Sequence, residues 1–271
     1  MKDIKLIATD MDGTLLNSKG ELSDTFYPIF DQLKSRGLYF AAASGRQYYN
    51  LRKRFEPIQD DVIFVAENGS YVVFQDQELY VQSLDNLTTR ELIQVARQIP
   101  NAYPILCGKK KAYVENTEDA FWAQFTKYFE RYELVDDLLK IDDDSCLKVS
   151  LCDLAGSATN SYPHFKPWET SLQVKVSAGI WLDISHKLAN KGQALSVLQK
   201  TYGVSIDETM VFGDYLNDLE MMHQAYYSYA MENAHEHVKK AARFRAKTND
   251  ENGVLEILND VLKAQSGNIH E

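Results

Sequence analysis

Short apolar runs alternate with amphipathic segments over the first part of the chain. The apolar runs predict three buried strands, and the amphipathic segments predict two helices between them. In chain order these elements are Ile4–Thr9, Asp24–Arg36, Leu38–Ala43, Tyr48–Phe55 and Val62–Ala66. Strands that alternate with helices indicate a parallel sheet with right-handed crossovers.

The same alternation returns near the other end of the chain. The predicted elements are Asn190–Tyr202, Thr209–Phe212, Asn217–Gln224, Tyr226–Ala230, Ala234–Ala241 and Gly253–Lys263, of which the second and fourth are strands and the others helices. We therefore predict that residues 1–83 and 187–271 together form one α/β core, a doubly wound and mostly parallel sheet of the Rossmann type.

The stretch between these two parts follows another pattern. After a hairpin predicted around Asp76, strands that are adjacent in the sequence favour antiparallel pairing, which predicts an inserted α+β cap at residues 84–186. Its predicted helices are Thr89–Ile99 and Glu118–Tyr128, and its predicted strands are Tyr103–Cys107, Ala112–Val114, Leu147–Cys152, Leu172–Ser177 and Trp181–Ile184.

Composition narrows the class of protein. Hydrophobic residues make up 45% of the 271 residues and charged residues 25%, which is ordinary for a globular chain. No apolar run approaches the roughly 20 residues that span a bilayer, and the first residues lack a signal-peptide core, so we expect a cytoplasmic protein with no membrane partner. The net charge of −10 argues against a nucleic-acid partner. The three cysteines show neither metal-ligand nor disulfide spacing. The composition does not specify an oligomeric state.

The strongest chemical signal is the segment Asp10-Met11-Asp12-Gly13-Thr14, directly after the first predicted strand. In open α/β sheets ligands bind at the carboxyl ends of strands. Residues two apart in extended backbone point to the same side, so Asp10 and Asp12 could face one site. Mg²⁺ would relieve the repulsion between two such carboxylates. The alternative is an Asp-rich turn that caps a helix.

Three further polar segments stand at strand or helix ends. They are Ser44-Gly45-Arg46, Asn190-Lys191-Gly192 and Gly213-Asp214-Tyr215-Leu216-Asn217-Asp218. A hydroxyl with backbone amides, a lysine and two carboxylates four residues apart would together suit a phosphate and its metal ion. Each segment alone could be a helix cap or a surface lysine. Their joint occurrence at four such ends favours a phosphoryl-transfer site.

This set of motifs resembles the four-motif signature of the haloacid dehalogenase-like phosphatases. More narrowly it is similar to the Cof-type sugar phosphatase branch, whose type IIB cap is inserted between the second and third motifs. The predicted cap lies in the corresponding gap between Arg46 and Lys191. Two more segments look family-like, namely Glu67-Asn68-Gly69 after the third strand and Thr248-Asn249-Asp250-Glu251-Asn252-Gly253-Val254 near the end.

The resemblance implies a role for each matching residue. Asp10 would be the nucleophile and Asp12 the general acid–base. Mg²⁺ would be held by the Asp10 side chain, the Asp12 backbone carbonyl and Asp214, with Asp218 in support. Phosphate would be held by the Met11 amide, Ser44, Gly45, Lys191 and Asn217, with Thr14 and Arg46 in support. The cap would act as a substrate lid.

These residues predict a Mg²⁺-dependent phosphatase that hydrolyses small phosphorylated metabolites, such as sugar phosphates, through an aspartyl-phosphate on Asp10. Asp12 supplies a built-in general acid–base two residues after Asp10, which favours a phosphatase or a phosphomutase. The phosphomutase is one alternative, because a substrate hydroxyl could replace water. A protein that senses phosphate without turnover is a more distant alternative.

Overall fold

The chain folds into two compact units. The first is built from residues 1–45, 51–80 and 190–271, and the second from residues 46–50 and 81–189. A computed structural model describes Met1 and residues 3–266. Lys2 and the last five residues, which the predicted core segments include, lie outside the described residues.

Strands and helices alternate along most of the described chain. The strands are β1 (Leu6–Asp10), β2 (Tyr39–Ala43), β3 (Ile63–Ala66), β4 (Tyr71–Phe74), β5 (Gln77–Val81), β6 (Ala102–Gly108), β7 (Ala112–Val114), β8 (Tyr132–Leu134), β9 (Cys146–Asp153), β10 (Leu172–Ala178), β11 (Trp181–His186), β12 (Thr209–Gly213), β13 (Tyr227–Met231) and β14 (Phe244–Ala246). The helices are α1 (Phe26–Ser35), α2 (Tyr48–Arg54), α3 (Asn86–Ala96), α4 (Asp119–Phe125), α5 (Tyr162–Phe165), α6 (Lys191–Tyr202), α7 (Leu219–Met222), α8 (Glu236–Ala241) and α9 (Gly253–Ser266).

The first unit contains a sheet in the order β14-β13-β12-β1-β2-β3-β4-β5. Its strands are parallel from β14 to β3, and β4 runs antiparallel to β3. All five residues of β1 are buried, as expected for a central strand of a sheet covered on both faces. This topology confirms the predicted α/β fold with a mostly parallel sheet.

The hairpin predicted around Asp76 is present between β4 and β5. Gln75 and Asp76 both have positive φ, at 51° and 59°, which is the conformation of a two-residue type I′ turn. Such a turn matches the right-handed twist of the strands that flank it, so the chain reverses tightly at the edge of the sheet.

Aromatic packing fixes the helices against this sheet. The Phe26 and Phe30 rings of α1 lie 5.2 Å and 5.7 Å from the ring of Phe40 in β2, measured between centroids. Phe55, just after α2, lies 6.0 Å from Phe26. All four rings are buried, and their burial holds the first crossovers in place.

The second unit contains a sheet in the order β10-β11-β9-β6-β7-β8, with antiparallel pairing except between β7 and β8. One apolar cluster includes Ile93 and Phe165, and another includes Phe121 and Phe125. Mixed helices and an antiparallel sheet make this unit α+β. All three cysteines lie in it as buried thiols.

Several elements were not predicted from the sequence. β8 has three exposed residues, so it lacks a buried face that a hydrophobic pattern would reveal. β14 has only three residues, and α5 carries a proline in its first turn. The helix predicted over Asn217–Gln224 is instead a 3₁₀ turn at Leu216–Asp218 followed by the short α7.

None of the described helices is both long enough and apolar enough to cross a membrane.

Candidate active site

Four neighbouring parallel strands end at one edge of the first unit's sheet. Asp10 is the last residue of β1, Ser44 follows β2, and Asp214 follows β12. Asn68 comes two residues after the end of β3. Because β12, β1, β2 and β3 are adjacent in the sheet, these residues are brought to the same edge.

A buried lysine links two carboxylates at this edge. Lys191 is the first residue of α6, and its side chain is fully buried. Its ammonium forms ion pairs with Asp10 and with Asp218, where the Nζ–Oδ1 distance is 2.6 Å. Asp218 is itself fixed, because its Oδ2 accepts hydrogen bonds from the backbone N–H groups of Asp214 at 2.9 Å and Tyr215 at 3.1 Å. These bonds also explain why a tight turn replaces the predicted helix start.

Asp214 is held from the other side by the turn after β1. The Thr14 hydroxyl donates to its Oδ1 at 3.1 Å. Gly13 has a φ of 82°, and a Cβ added there would lie 2.4 Å from Asp214 Oδ2. A side chain at position 13 would therefore displace the carboxylate, so the turn requires glycine.

The acidic groups of this site are strongly perturbed. Burial raises the pKa of Asp10 well above its ordinary value, opposed by the charge of Lys191 and reinforced by those of Asp218 and Asp214. Burial, together with the charge of Asp218, raises the pKa of Asp214 to about 6. Burial alone would lower the pKa of Lys191, but the charges of Asp10 and Asp218 outweigh it and raise that pKa. The lysine therefore stays charged, while Asp10 and Asp214 resist ionisation.

The same carboxylates form a set that could hold a metal ion. One oxygen from each of Asp10, Asp214 and Asp218 lies within 4.8 Å of the others. When these three carboxylates are ionised, their negative charge exceeds the single positive charge of the Lys191 ammonium. Oxygen ligands of this kind suit Mg²⁺, and a divalent cation would lower the pKa values of Asp10 and Asp214 by favouring their ionised forms. The donor set therefore fits the expected ion.

The remaining residues of the first motif form the turn that follows β1. Asp12 is exposed, two residues beyond the buried Asp10. The Met11 carbonyl accepts hydrogen bonds from the backbone N–H groups of Thr14 at 3.3 Å and Leu16 at 2.9 Å, which closes the turn. Asp12 thus has access to solvent while the adjoining backbone is fixed.

The second motif, Ser44-Gly45-Arg46, is divided between the two units. Ser44 is buried, and both it and Gly45 belong to the first unit. Arg46 belongs to the second unit, where its guanidinium donates to Asn50 Oδ1 at 3.1 Å and lies 5.4 Å from the centre of the Tyr128 ring.

Asn217 lies beside Asn68, a residue for which no role is predicted from the sequence. Its Nδ2 donates to Asn68 Oδ1 at 3.0 Å. Asn68 could have been found by its position, because it follows a predicted strand in the same way as Asp10 and Ser44 do. The signal was weak because asparagine before glycine is also typical of an ordinary turn.

Comparison with known proteins identifies the family. Residues 7–258 match the family model described as haloacid dehalogenase-like hydrolase. The chain is 34% identical to the 5-amino-6-(5-phospho-D-ribitylamino)uracil phosphatase YbjI of Escherichia coli K12, covering 97% of this chain and 98% of that protein. It is 28% identical to the phosphatase YcsE of Bacillus subtilis, named for the same compound, covering 94% and 95%.

Solved structures give the same result. The crystal structure of SMU.1108c from Streptococcus mutans superposes with a TM-score of 0.86 at 34% identity, covering 96% of this chain and 99% of that one. A sugar phosphatase of haloacid dehalogenase subclass IIB superposes with a TM-score of 0.79 at 18% identity, which shows a shared fold. The resemblance seen in the sequence is thus confirmed, and the chain belongs to the haloacid dehalogenase-like hydrolase family as a phosphoric monoester hydrolase.

Proposed function

We propose that this chain is a Mg²⁺-dependent phosphatase that hydrolyses small phosphorylated metabolites through an aspartyl-phosphate on Asp10. The observation that carries this proposal is the buried Asp10 carboxylate at the end of β1, paired with Lys191 and grouped with Asp214 and Asp218. A carboxylate held beside a fixed cation at a strand end is suited to attack an anionic phosphorus centre, because the cation offsets their repulsion.

The first step transfers the phosphoryl group to the enzyme. An Asp10 carboxylate oxygen attacks phosphorus, the bond between phosphorus and the ester oxygen breaks, and Asp12 gives its proton to the leaving oxygen. The second step reverses the role of Asp12, which takes a proton from a water molecule as that water attacks the phosphorus. The acyl phosphate bond then breaks, inorganic phosphate leaves and Asp10 is regenerated. The exposure of Asp12 supports this role, since the group must meet both the substrate and water.

The other residues of the site would bind Mg²⁺ and the phosphate group and would offset the negative charge of the phosphate. Mg²⁺ would be held by the carboxylates of Asp10 and Asp214 and the Asp12 carbonyl, with Asp218 in support, and when bound it would neutralise charge on the phosphate oxygens. Lys191 adds a fixed positive charge that burial does not remove. We assign the phosphate contacts to the Met11 amide, Ser44, Gly45, Lys191 and Asn217, with Thr14 and Arg46 in support.

The relatives suggest which substrates to test first. Two of them are named for a compound in which a phosphorylated ribityl chain is attached to an aminouracil ring. We propose a substrate of that class for this chain, a phosphorylated polyol or sugar, because the identity to the Escherichia coli protein extends over nearly the whole length of both chains.

The test compares wild type with D10N, and uses D31N as a matched control that removes a carboxylate from the exposed face of α1. A generic aryl phosphate and the ribityl compound are supplied with Mg²⁺ or with a chelator. We expect D10N to lose activity by a factor on the order of 10³ or more, as other enzymes do when a nucleophile is removed. We expect D31N to match wild type, and mass spectrometry of quenched wild type to find a phosphoryl group on Asp10. Full turnover by folded D10N would refute the mechanism, and a main product other than inorganic phosphate would refute the hydrolysis.

A further inference from the structure

The segment after β3 has an unusual backbone. Glu67, Asn68 and Gly69 are consecutive and all have positive φ, at 50°, 55° and 95°. Residues other than glycine adopt this region at a cost on the order of 1 kcal/mol each. Such a conformation persists only where surrounding contacts enforce it, and it is often found at functional sites.

Contacts on both sides enforce this conformation. The Asn68 backbone N–H donates to the Ser44 carbonyl at 2.9 Å. On the other side, a Cβ added to Gly69 would lie 2.4 Å from the Asn190 carbonyl oxygen, so the segment is packed directly against the residue that begins α6. The segment is thus held between the second motif and the residue that precedes Lys191.

The Asn68 side chain reaches two groups that we assigned to phosphate binding. Its Oδ1 accepts the hydrogen bond from Asn217 Nδ2 at 3.0 Å. Gly45 faces the same amide closely, since a Cβ at position 45 would lie 3.0 Å from Asn68 Oδ1 and 3.1 Å from Asn68 Nδ2. Asn68 therefore lies against Gly45 of the second motif and Asn217 of the fourth motif at the same time.

We infer that Asn68 is a positioning residue that orients the Asn217 amide for phosphate, an inference that rests on the proposed function. A carboxamide can present either its oxygen or its nitrogen to a ligand, and a phosphate dianion accepts only from the nitrogen. Because Asn68 Oδ1 accepts one Nδ2 hydrogen, it fixes the nitrogen of Asn217 on the side of Asn68 and Gly45. The second Nδ2 hydrogen is then available to a phosphate oxygen at that edge.

This arrangement has a measurable consequence. A hydrogen bond from an amide to a charged acceptor is worth about tenfold to a hundredfold in affinity. Loss of the correct amide orientation should weaken the binding of the substrate and of the transition state by a similar amount. It should therefore raise KM and the inhibition constant of inorganic phosphate by a similar factor, with a smaller change in kcat.

The test uses the full chain with Mg²⁺, with inorganic phosphate as the probe in calorimetric titrations. N68G removes the side chain but permits positive φ, and N217A removes the amide that is positioned. N252G is the matched control, because Asn252 also has positive φ, at 56°, and is exposed. We expect N68G and N217A each to bind phosphate about tenfold more weakly, and N252G to bind as wild type does.

The double variant N68G/N217A separates positioning from an independent contribution. If Asn68 acts through Asn217, the double variant binds phosphate about as weakly as N217A alone, whereas independent contacts would multiply to about a hundredfold loss. Multiplied losses, or wild-type affinity in folded N68G, would overturn the inference. Should N68G fail to fold, wild-type phosphate affinity in N217A would overturn it equally. The titration needs no turnover, so a failure of the D10N experiment remains distinct from a failure here.

Discussion

The raised pKa of Asp214 leads to a quantitative prediction about metal binding. The pKa of this carboxyl is about 6 in the metal-free protein, because burial and the charge of Asp218 disfavour its ionised form. Mg²⁺ binds the ionised form, so a proton must leave before the ion can bind. Apparent affinity for Mg²⁺ should therefore fall as the pH drops below 6.

The size of the effect follows from the fraction of Asp214 that is ionised. With a pKa of about 6, about nine-tenths of the groups are ionised at pH 7 and about one-tenth at pH 5. This group alone should thus weaken Mg²⁺ binding about tenfold between pH 7 and pH 5. The raised pKa of Asp10 acts in the same direction, so tenfold is a lower bound. Lys191 stays charged over this pH range and adds nothing to the pH dependence of Mg²⁺ affinity.

The assay is calorimetric titration of Mg²⁺ into metal-free protein at pH 5, 6 and 7, repeated in buffers of different ionisation enthalpy to count the protons released. D214N should bind Mg²⁺ more weakly at pH 7, and its affinity should depend less on pH. D31N should behave as wild type, because its exposed carboxylate lies on α1. Equal affinities of wild type at pH 5 and pH 7, or binding without proton release at pH 5, would refute the reasoning.

Three further predictions concern stability, each measured by urea denaturation of metal-free protein. K191M should lower the free energy of unfolding by about 3–5 kcal/mol, because it leaves two buried carboxylates without their cation; a loss below about 1 kcal/mol would contradict a buried pair. G69A should be more destabilising than G20A, since both have positive φ but only the first would meet a backbone oxygen at 2.4 Å; equal losses would contradict the close packing. D153A in the second unit should cost about 2–4 kcal/mol, because its buried carboxylate accepts three hydrogen bonds of 2.9–3.0 Å; a variant as stable as wild type would contradict that count.

Much of the core could be predicted from the sequence because its strands are buried on both faces. A strand such as β1 reads as a short run of apolar and small residues that ends at a carboxylate, and the polar residue marks the carboxyl end of the strand. The same logic groups Asp10, Ser44 and Asp214 at strand ends from the sequence alone, and Lys191 joins them at the predicted start of a helix. It works because parallel strands place their carboxyl ends together whatever lies between them in the chain.

Other features depend on contacts that no local pattern records. Asp218 was expected only to support the site, yet its carboxylate fixes two backbone amides and pairs with Lys191. That arrangement turns the predicted helix start into a tight turn, since the side chain competes with helical hydrogen bonding. No role is predicted for Asn68 for the same reason, because its partner Asn217 lies 149 residues away in the sequence.

The pairing of Asp10 with Lys191 across 181 residues also has a consequence for biosynthesis. At typical ribosomal rates of about 5–20 residues per second, Lys191 is added roughly 10 to 40 seconds after Asp10. During that interval β1 can pair with β2, but its other neighbour, β12, does not yet exist. A nascent chain therefore carries the proposed nucleophile long before it carries the cation, and we expect a truncated product that stops before β12 to be inactive.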